Sequence, residues 1–248
     1  MTDKSNSITD FSETVCIFSG GLDSVSTAAY MKKMGLKINL ISFDYGQRGS
    51  NELIVAKRLS KSLKCSRYEI VNISFLKSLL GKTNILTSSS NSKIPSTFDY
   101  SMMVPLRNTV FLTLASIWAT SLDISLVVYG AHSGDTRYAD CRPSFTRSLE
   151  KVLNLSEIDG IATGLRKKLH IWSPAISKLS KSELLLIGYE TLGNKIFETW
   201  SCYLSENNNT KSTKSDNLKQ CGLCESCINR KQAFVKAGIE DKTQYVNN

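Results

Sequence analysis

The stretch Thr14-Val15-Cys16-Ile17-Phe18-Ser19-Gly20-Gly21-Leu22-Asp23-Ser24 decides the fold. Its first five residues are apolar or β-branched and read as a short buried strand. Two glycines then permit a sharp turn, and residues 24–34 read as a helix that Gly35 stops. A strand that enters a helix this way sets backbone N–H groups at the carboxyl end of a sheet, where anions bind. Ser19 and Ser24 add hydroxyl donors. Asp23 is out of place beside phosphate unless it orients the loop or meets Mg²⁺. The run has neither the Gly-x4-Gly-Lys of a Walker loop nor the Gly-x-Gly-x-x-Gly dinucleotide fingerprint.

The same alternation continues outward. Strands are expected over residues 37–43, 68–73, 126–130 and, more weakly, 169–172. Helices are expected over 52–63, 107–121 and 142–153. Ser180-Lys181-Ser182-Glu183 is a capping box that opens a further helix, closed by Gly193. Strands that alternate with helices predict an α/β fold, a mostly parallel doubly wound sheet covered on both faces. Residues 81–101 break the pattern and read as a mobile loop, a candidate lid. Residues 205–220 are polar and rich in Asn, Ser and Lys, and read as disordered. The expected division is an α/β domain over 1–195 and a small helical metal-binding appendage over 196–248.

The chain has 248 residues, of which 41% are hydrophobic, enough for a core and outside the disordered class. A net charge of +9 favours nucleotides, nucleic acid or anionic small molecules as partners. Aromatic residues are not interleaved with Lys and Arg in any one segment, which argues against a single-strand stacking platform. Direct nucleic-acid contact is otherwise left open. The N-terminus is polar, unlike a signal peptide, and the longest nearly apolar stretch, residues 110–122, is short of the roughly 20 residues a bilayer needs. A cytoplasmic enzyme is the expectation, with no membrane partner.

Seven cysteines divide into three scattered ones and a cluster: Cys202, Cys221, Cys224 and Cys227. Four thiolates at this spacing make a closed tetrahedral site, which leaves no open position for catalysis and serves folding. Structural Zn²⁺ is the preferred occupant and an iron–sulfur cluster the rival.

Ser-Gly-Gly-x-Asp-Ser resembles the signature of the N-type ATP pyrophosphatases, and further motifs narrow the resemblance. Phe18-Ser-Gly-Gly-Leu-Asp-Ser24, Phe43-Asp-Tyr-Gly-Gln-Arg48 with Glu52-Leu53, Val104-Pro-Leu-Arg-Asn108, Asp140-Cys-Arg142-Pro143, Lys181-Ser-Glu183, and Ser201-Cys-Tyr203 with the Cys221 cluster and Arg230 follow in order. Together they resemble the 7-cyano-7-deazaguanine synthase (QueC) family over residues 15–241. The resemblance implies an adenine nucleotide alpha-hydrolase-like, Rossmann-like fold. It also implies conversion of 7-carboxy-7-deazaguanine and ammonia to the nitrile with ATP as substrate, with Mg²⁺, for deazaguanine modification of nucleic acid such as queuosine and archaeosine in tRNA. The loop type favours cleavage to AMP and pyrophosphate. No glutaminase fits this length, so free ammonium or a separate partner supplies the nitrogen. A homodimer is the weakest of these implications.

Candidate roles follow by position. Phe18, Ser19, Gly20, Gly21, Leu22, Asp23, Ser24, Asp44 and Arg107 are expected around ATP. Arg48, Asn108, Asp135, Asp140 and Arg142 are expected around the deazaguanine, and Asp23, Ser24, Arg48 and Lys181 in catalysis. Gly49 stands where the family usually has His, and Leu106 where it usually has a small residue, both near the expected substrate region. The spacer from Cys202 to Cys221 is also long. The rivals within the same superfamily are a tRNA thiolase, for which Cys141 is the one candidate sulfur carrier, and a related ligase acting on a macromolecular acceptor.

Overall fold

The computed structural model describes residues 8–47, 51–80, 84–87, 94–204 and 218–246. A five-stranded sheet organises them, with β1 (Glu13–Ile17), β2 (Lys37–Asp44), β3 (Arg67–Asn72), β4 (Leu126–Val128) and β5 (His170–Trp172). The order is β3-β2-β1-β4-β5 and every pairing is parallel. Each crossover needs a helix. Helix α1 (Leu22–Lys33) follows β1 and α2 (Asn51–Ser62) follows β2. The short α3 (Leu76–Leu80) comes next, then α4 (Arg107–Ser121), α5 (Pro143–Ser156) and the short α6 (Ile158–Ala162). The chain closes with α7 (Lys181–Leu192) and α8 (Glu225–Ala237).

The strand pleat divides the interior into two cores. On one face Cys16, Ile38, Leu40 and Val128 meet α1, α2, α7 and α8. On the other, Val15, Ile41, Val127 and Ile171 meet α4 and α5. β1 is covered on both sides, so its run of Thr, Val and Cys shows no polar alternation. β3 is the edge and alternates poorly, with exposed Arg67, Glu69 and Ile70. The stretch Tyr100–Ser121 would reach across a bilayer by length and composition. In this fold Phe111, Leu112, Ala115, Ser116 and Ala119 of α4 are buried among the core residues of the sheet.

The expected strands and long helices are present, with ends displaced by at most three residues and the helix over 107–121 matched at both ends. The capping box forms: Ser180 Oγ accepts from Glu183 N at 3.3 Å and Glu183 Oε2 accepts from Ser180 N at 2.7 Å. Helices α3 and α6 were not expected from the sequence. The segment 81–101 is only partly described. Its residues 84–87 are not a loose lid: Asn84, Leu86 and Thr87 are buried, and Asn84 Nδ2 donates to Met103 O at 2.5 Å. Residues 205–217 lie outside the description. Gln220, at the end of the stretch read as disordered, is buried and bridges the chain: its Nε2 donates to Thr199 O at 2.9 Å and its backbone pairs in parallel with Tyr245.

Candidate active site

β1 sits between β2, its neighbour in sequence, and β4, which arrives after three crossovers. The strand order reverses there, and the carboxyl ends of β1 and β4 open a crevice. A cavity of about 840 Å³ occupies it. Its walls come from the loop after β1, the turn after β2, the start of α4, residues 129–138 after β4, the start of α7, residues 200–203 and one side of α8.

The loop after β1 is closed by its own hydroxyls. Ser24 Oγ lies 3.1 Å from Ser19 Oγ, accepts from Ser19 N and donates to Gly21 O. Gly20 adopts φ +81°, and a Cβ built on it would lie 2.6 Å from Glu52 O. Gly130 is tight as well, since its Cβ would lie 3.0 Å from Ser24 N. Two glycines therefore let α2 and the end of β4 press against the loop after β1. The first residues of α1, Leu22, Asp23 and Ser24, line the cavity, and N–H groups at a helix start have no partners within the helix.

Asp23 is the hub of a charged network. Its Oδ2 accepts from Lys181 Nζ at 2.9 Å, and its Oδ1 lies 3.8 Å from His132 Nε2. His132 Nε2 also lies 3.4 Å from Asp135 Oδ1, while Asp135 Oδ2 accepts from His132 N at 2.9 Å. Gly134 N donates to His132 Nδ1, which fixes the other nitrogen as the one facing the carboxylates. Burial opposes the charge on Asp23, yet Lys181 and His132 outweigh it and hold the carboxyl below its ordinary value. Asp135 goes the other way, raised by burial and by the charge of Asp23. The two carboxyls around one imidazole are thus shifted in opposite directions.

A second group lies on the β2 side. Gln47 Nε2 donates to Glu52 Oε1 at 2.7 Å, and burial lifts the Glu52 carboxyl to about 7 against the pull of Gln47 and Arg107. Arg107 stays firmly protonated despite burial, through Tyr45, Tyr203 and Asp140. Asn108 Nδ2 lies 3.6 Å from Cys141 Sγ. Burial and the nearby Asp135 and Asp140 push the Cys141 thiol far up, away from the thiolate a sulfur carrier needs.

Of the residues expected at the site, Phe18, Ser19, Gly21, Leu22, Asp23, Ser24, Arg107, Asn108, Asp135 and Lys181 line the cavity. Gly20 shapes the loop from behind. Three are placed elsewhere. Asp44 accepts from Gly46 N at 3.1 Å and forms the turn after β2. Asp140 is set back from the wall, and Arg142 is exposed, its Nε donating to Thr136 O at 3.0 Å. Arg48 and Gly49 lie outside the described residues. Leu106 is 72% exposed, in the left-handed conformation at φ +57°, and does not line the cavity. His132, Gln47, Tyr203 and Glu225 line it unforeseen. A lone His between two acids with the spacing His132-x2-Asp135, just past a strand, was the signal available for the first.

Cys202, Cys221, Cys224 and Cys227 are buried, with their sulfurs within 4.8 Å of one another. Cys221 Sγ and Cys227 Sγ are 3.8 Å apart, the edge expected of a tetrahedron with metal–sulfur bonds of about 2.3 Å. Backbone N–H groups of Cys221 and Leu204 point at Cys202 Sγ, and those of Leu223 and Cys224 at Cys221 Sγ. Sulfurs that accept from several amides suit metal-bound thiolates, so the residues fit a four-thiolate metal. Beneath them Arg230 is fully buried and donates to Thr199, Ser201 and Thr243.

An all-parallel 3-2-1-4-5 sheet with a hydroxyl-lined loop at its switch point, joined to a four-cysteine cluster, defines a doubly wound α/β protein with its crevice at the switch point. Comparison with known proteins makes this particular. Residues 13–238 match the model of the queuosine biosynthesis protein QueC, and the chain belongs to that family. It is 37% identical over 244 residues to the 7-cyano-7-deazaguanine synthase of Polynucleobacter asymbioticus, covering 95% of this chain and 93% of that one. The enzyme of the same name from Coxiella burnetii is 35% identical, with 94% and 98% covered. That from Thermoplasma acidophilum is 36% identical, with 94% and 92% covered.

Proposed function

We propose that this chain converts 7-carboxy-7-deazaguanine and ammonia to 7-cyano-7-deazaguanine at the expense of ATP, as a carbon–nitrogen ligase of deazaguanine biosynthesis. The observation that carries the proposal is the near full-length match to synthases of that name, in a chain whose switch-point cavity joins the loop after β1 to a carboxylate–lysine pair. ATP phosphates fit the N–H groups at the start of α1, with Lys181 beside the scissile bond. Asp23 Oδ1 is buried and lacks a hydrogen-bond partner. With Asp135 across the imidazole it fits Mg²⁺, which would neutralise phosphate charge in the activated complex. Carboxylate activation makes an acyl adenylate, ammonia displaces AMP, and a second activation of the amide oxygen permits dehydration. Arg107 and Asn108 are placed to meet the carboxylate, and Arg48 stays a proposed contact. The four thiolates would hold structural zinc, and a cytoplasmic homodimer that feeds tRNA modification completes the proposal.

Purified protein with Mg-ATP, ammonium and 7-carboxy-7-deazaguanine is expected to form the nitrile, read by mass spectrometry. Failure to form it while ATP still binds would overturn the substrate assignment.

A further inference from the structure

One carboxylate in the cavity has no duty toward ATP. Glu52, the second residue of α2, is anchored twice. Its main-chain oxygen is pressed against Gly20 of the phosphate loop. Its Oε1 is held by Gln47, whose own Oε1 accepts from Tyr45 N at 2.9 Å and whose Nε2 also reaches Phe43 O at 3.3 Å. The remaining oxygen, Oε2, is the second acceptor of the group. Next to it stands an aromatic wall: Phe43 stacks on Phe111 at 4.4 Å, and Tyr45 tilts against Phe111 at 5.4 Å. Glu52, Gln47 and all three rings line the cavity.

The other acids there are engaged. Asp23 meets Lys181, Asp135 takes the His132 amide, and Glu225 accepts from Tyr203 Oη at 3.4 Å and Asn229 Nδ2 at 2.6 Å. Glu52 faces two charged groups, Arg107 of α4 and Asp44 of β2, and burial outweighs Arg107. Its carboxyl therefore exchanges a proton near neutral pH, as a general base requires. Aromatic faces beside a carboxylate are also a good environment for a small cationic nitrogen.

We propose that Glu52, oriented by Gln47, receives the ammonia nucleophile in this recess and takes the proton it sheds during amide formation. The assignment rests on the function proposed above. In the step, the nitrogen lone pair forms the C–N bond. The bond from the acyl carbon to the adenylate oxygen breaks, and its electron pair leaves on AMP. One N–H proton passes to the Glu52 carboxylate and from there to water. The Glu52 recess and the loop after β1 open into one cavity, so attack would follow activation without transfer of the acyl adenylate.

Two rates on the full chain test this. ATP–pyrophosphate exchange dependent on 7-carboxy-7-deazaguanine reports activation alone. Amide formation in ammonium adds the nucleophilic step. In Glu52→Gln the loss in amide formation is expected to exceed the loss in exchange by at least thirtyfold, with a raised KM for ammonium. The pH limb near neutrality in kcat/KM for ammonium should vanish, and Glu52→Asp should recover part of the rate and of the limb. If the Gln variant fails to fold, the same split is read on Glu52→Asp. Equal losses in both rates, or amide formation within threefold of wild type, would overturn the assignment. A wild-type chain that shows no exchange would instead overturn the functional reading, and the assignment with it.

Discussion

Asp23 shows how one side chain acquires its role. Lys181 lies 158 positions away and reaches it because α7 starts at the same crevice as α1. Asp23→Asn keeps the size and one acceptor but removes the charge. We expect turnover to fall by more than about 100-fold, the scale of a lost electrostatic contact in an active site, with the thermal midpoint little changed. Wild-type rates in that variant would contradict the loop assignment. Glu52 yields a prediction of opposite sign for stability. Its native carboxyl binds a proton more tightly than the unfolded chain does, because burial raises it from 4.5 to about 7. That stabilising contribution is complete at low pH and is lost as pH rises through the window between those two values. Glu52→Gln mimics the protonated form. It should raise the melting temperature by roughly 2–4 °C at pH 8, equivalent to about 1 kcal/mol at this chain size, and leave it unchanged at pH 4.5. Thermal melts at the two pH values check this. The loop residues were legible from the sequence because strand, Gly-Gly turn and helix are contiguous. Glu52 entered only as a motif residue without a role and His132 not at all, since their partners sit on other elements and only folding brings them together.

At the scale of elements, the close approach of α2 to the phosphate loop depends on the absence of a side chain at Gly20. Gly20→Ala meets two penalties at once, a left-handed backbone and a main-chain oxygen at 2.6 Å. The first alone costs about 1–2 kcal/mol. Movement of α2 should weaken binding of a non-hydrolysable ATP analogue by tenfold or more in calorimetry. Unchanged affinity would show that the loop does not need this contact. The strands and long helices were legible because each carries an apolar run of the right period, with a capping box marking α7. Element α3 is the five-residue run Leu76-Lys-Ser-Leu-Leu80 and α6 the segment Ile158-Asp-Gly-Ile-Ala162, both too short for a periodic signal. Asp140 and Arg142, assigned to the site from their position after β4, lie in and just after the short 3₁₀ turn at Ala139–Cys141 and are not among the residues that line the cavity.

For the molecule as a whole, the C-terminal cysteines and the sheet share one hydrophobic core, in which Cys202, Cys221, Cys224 and Cys227 pack with Trp200, Phe234, Leu22 and Val25. Loss of the metal should therefore disturb the cavity as well as the appendage, because Trp200, Tyr203 and α8 supply one of its walls. Metal analysis should give about one zinc per chain. Chelation should lower the melting temperature by more than about 5 °C, as expected if the site contributes at least ~2 kcal/mol, and should weaken ATP binding in parallel. Iron and sulfide in place of zinc would contradict the site. The cysteine spacing made this cluster legible; its contact with the nucleotide crevice was not, because the intervening chain carries no pattern that fixes where it returns.

The strand order has a consequence for biosynthesis on the ribosome. The first strand to leave the exit tunnel is the one that ends in the middle of the sheet. β1 finds β2 about 25 residues later, but its other edge stays bare until Val127 and Val128 have been made. β1 thus keeps one unpaired apolar edge through the synthesis of roughly a hundred residues, the last half of them after β3 has completed the half-sheet β3-β2-β1, and parallel pairing over that distance is slow to close. The anion loop has one wall for all that time. The cavity gains its last wall only when the chain is released far enough for α8 to dock, so a ligand that needs that wall meets a complete site only on the finished chain.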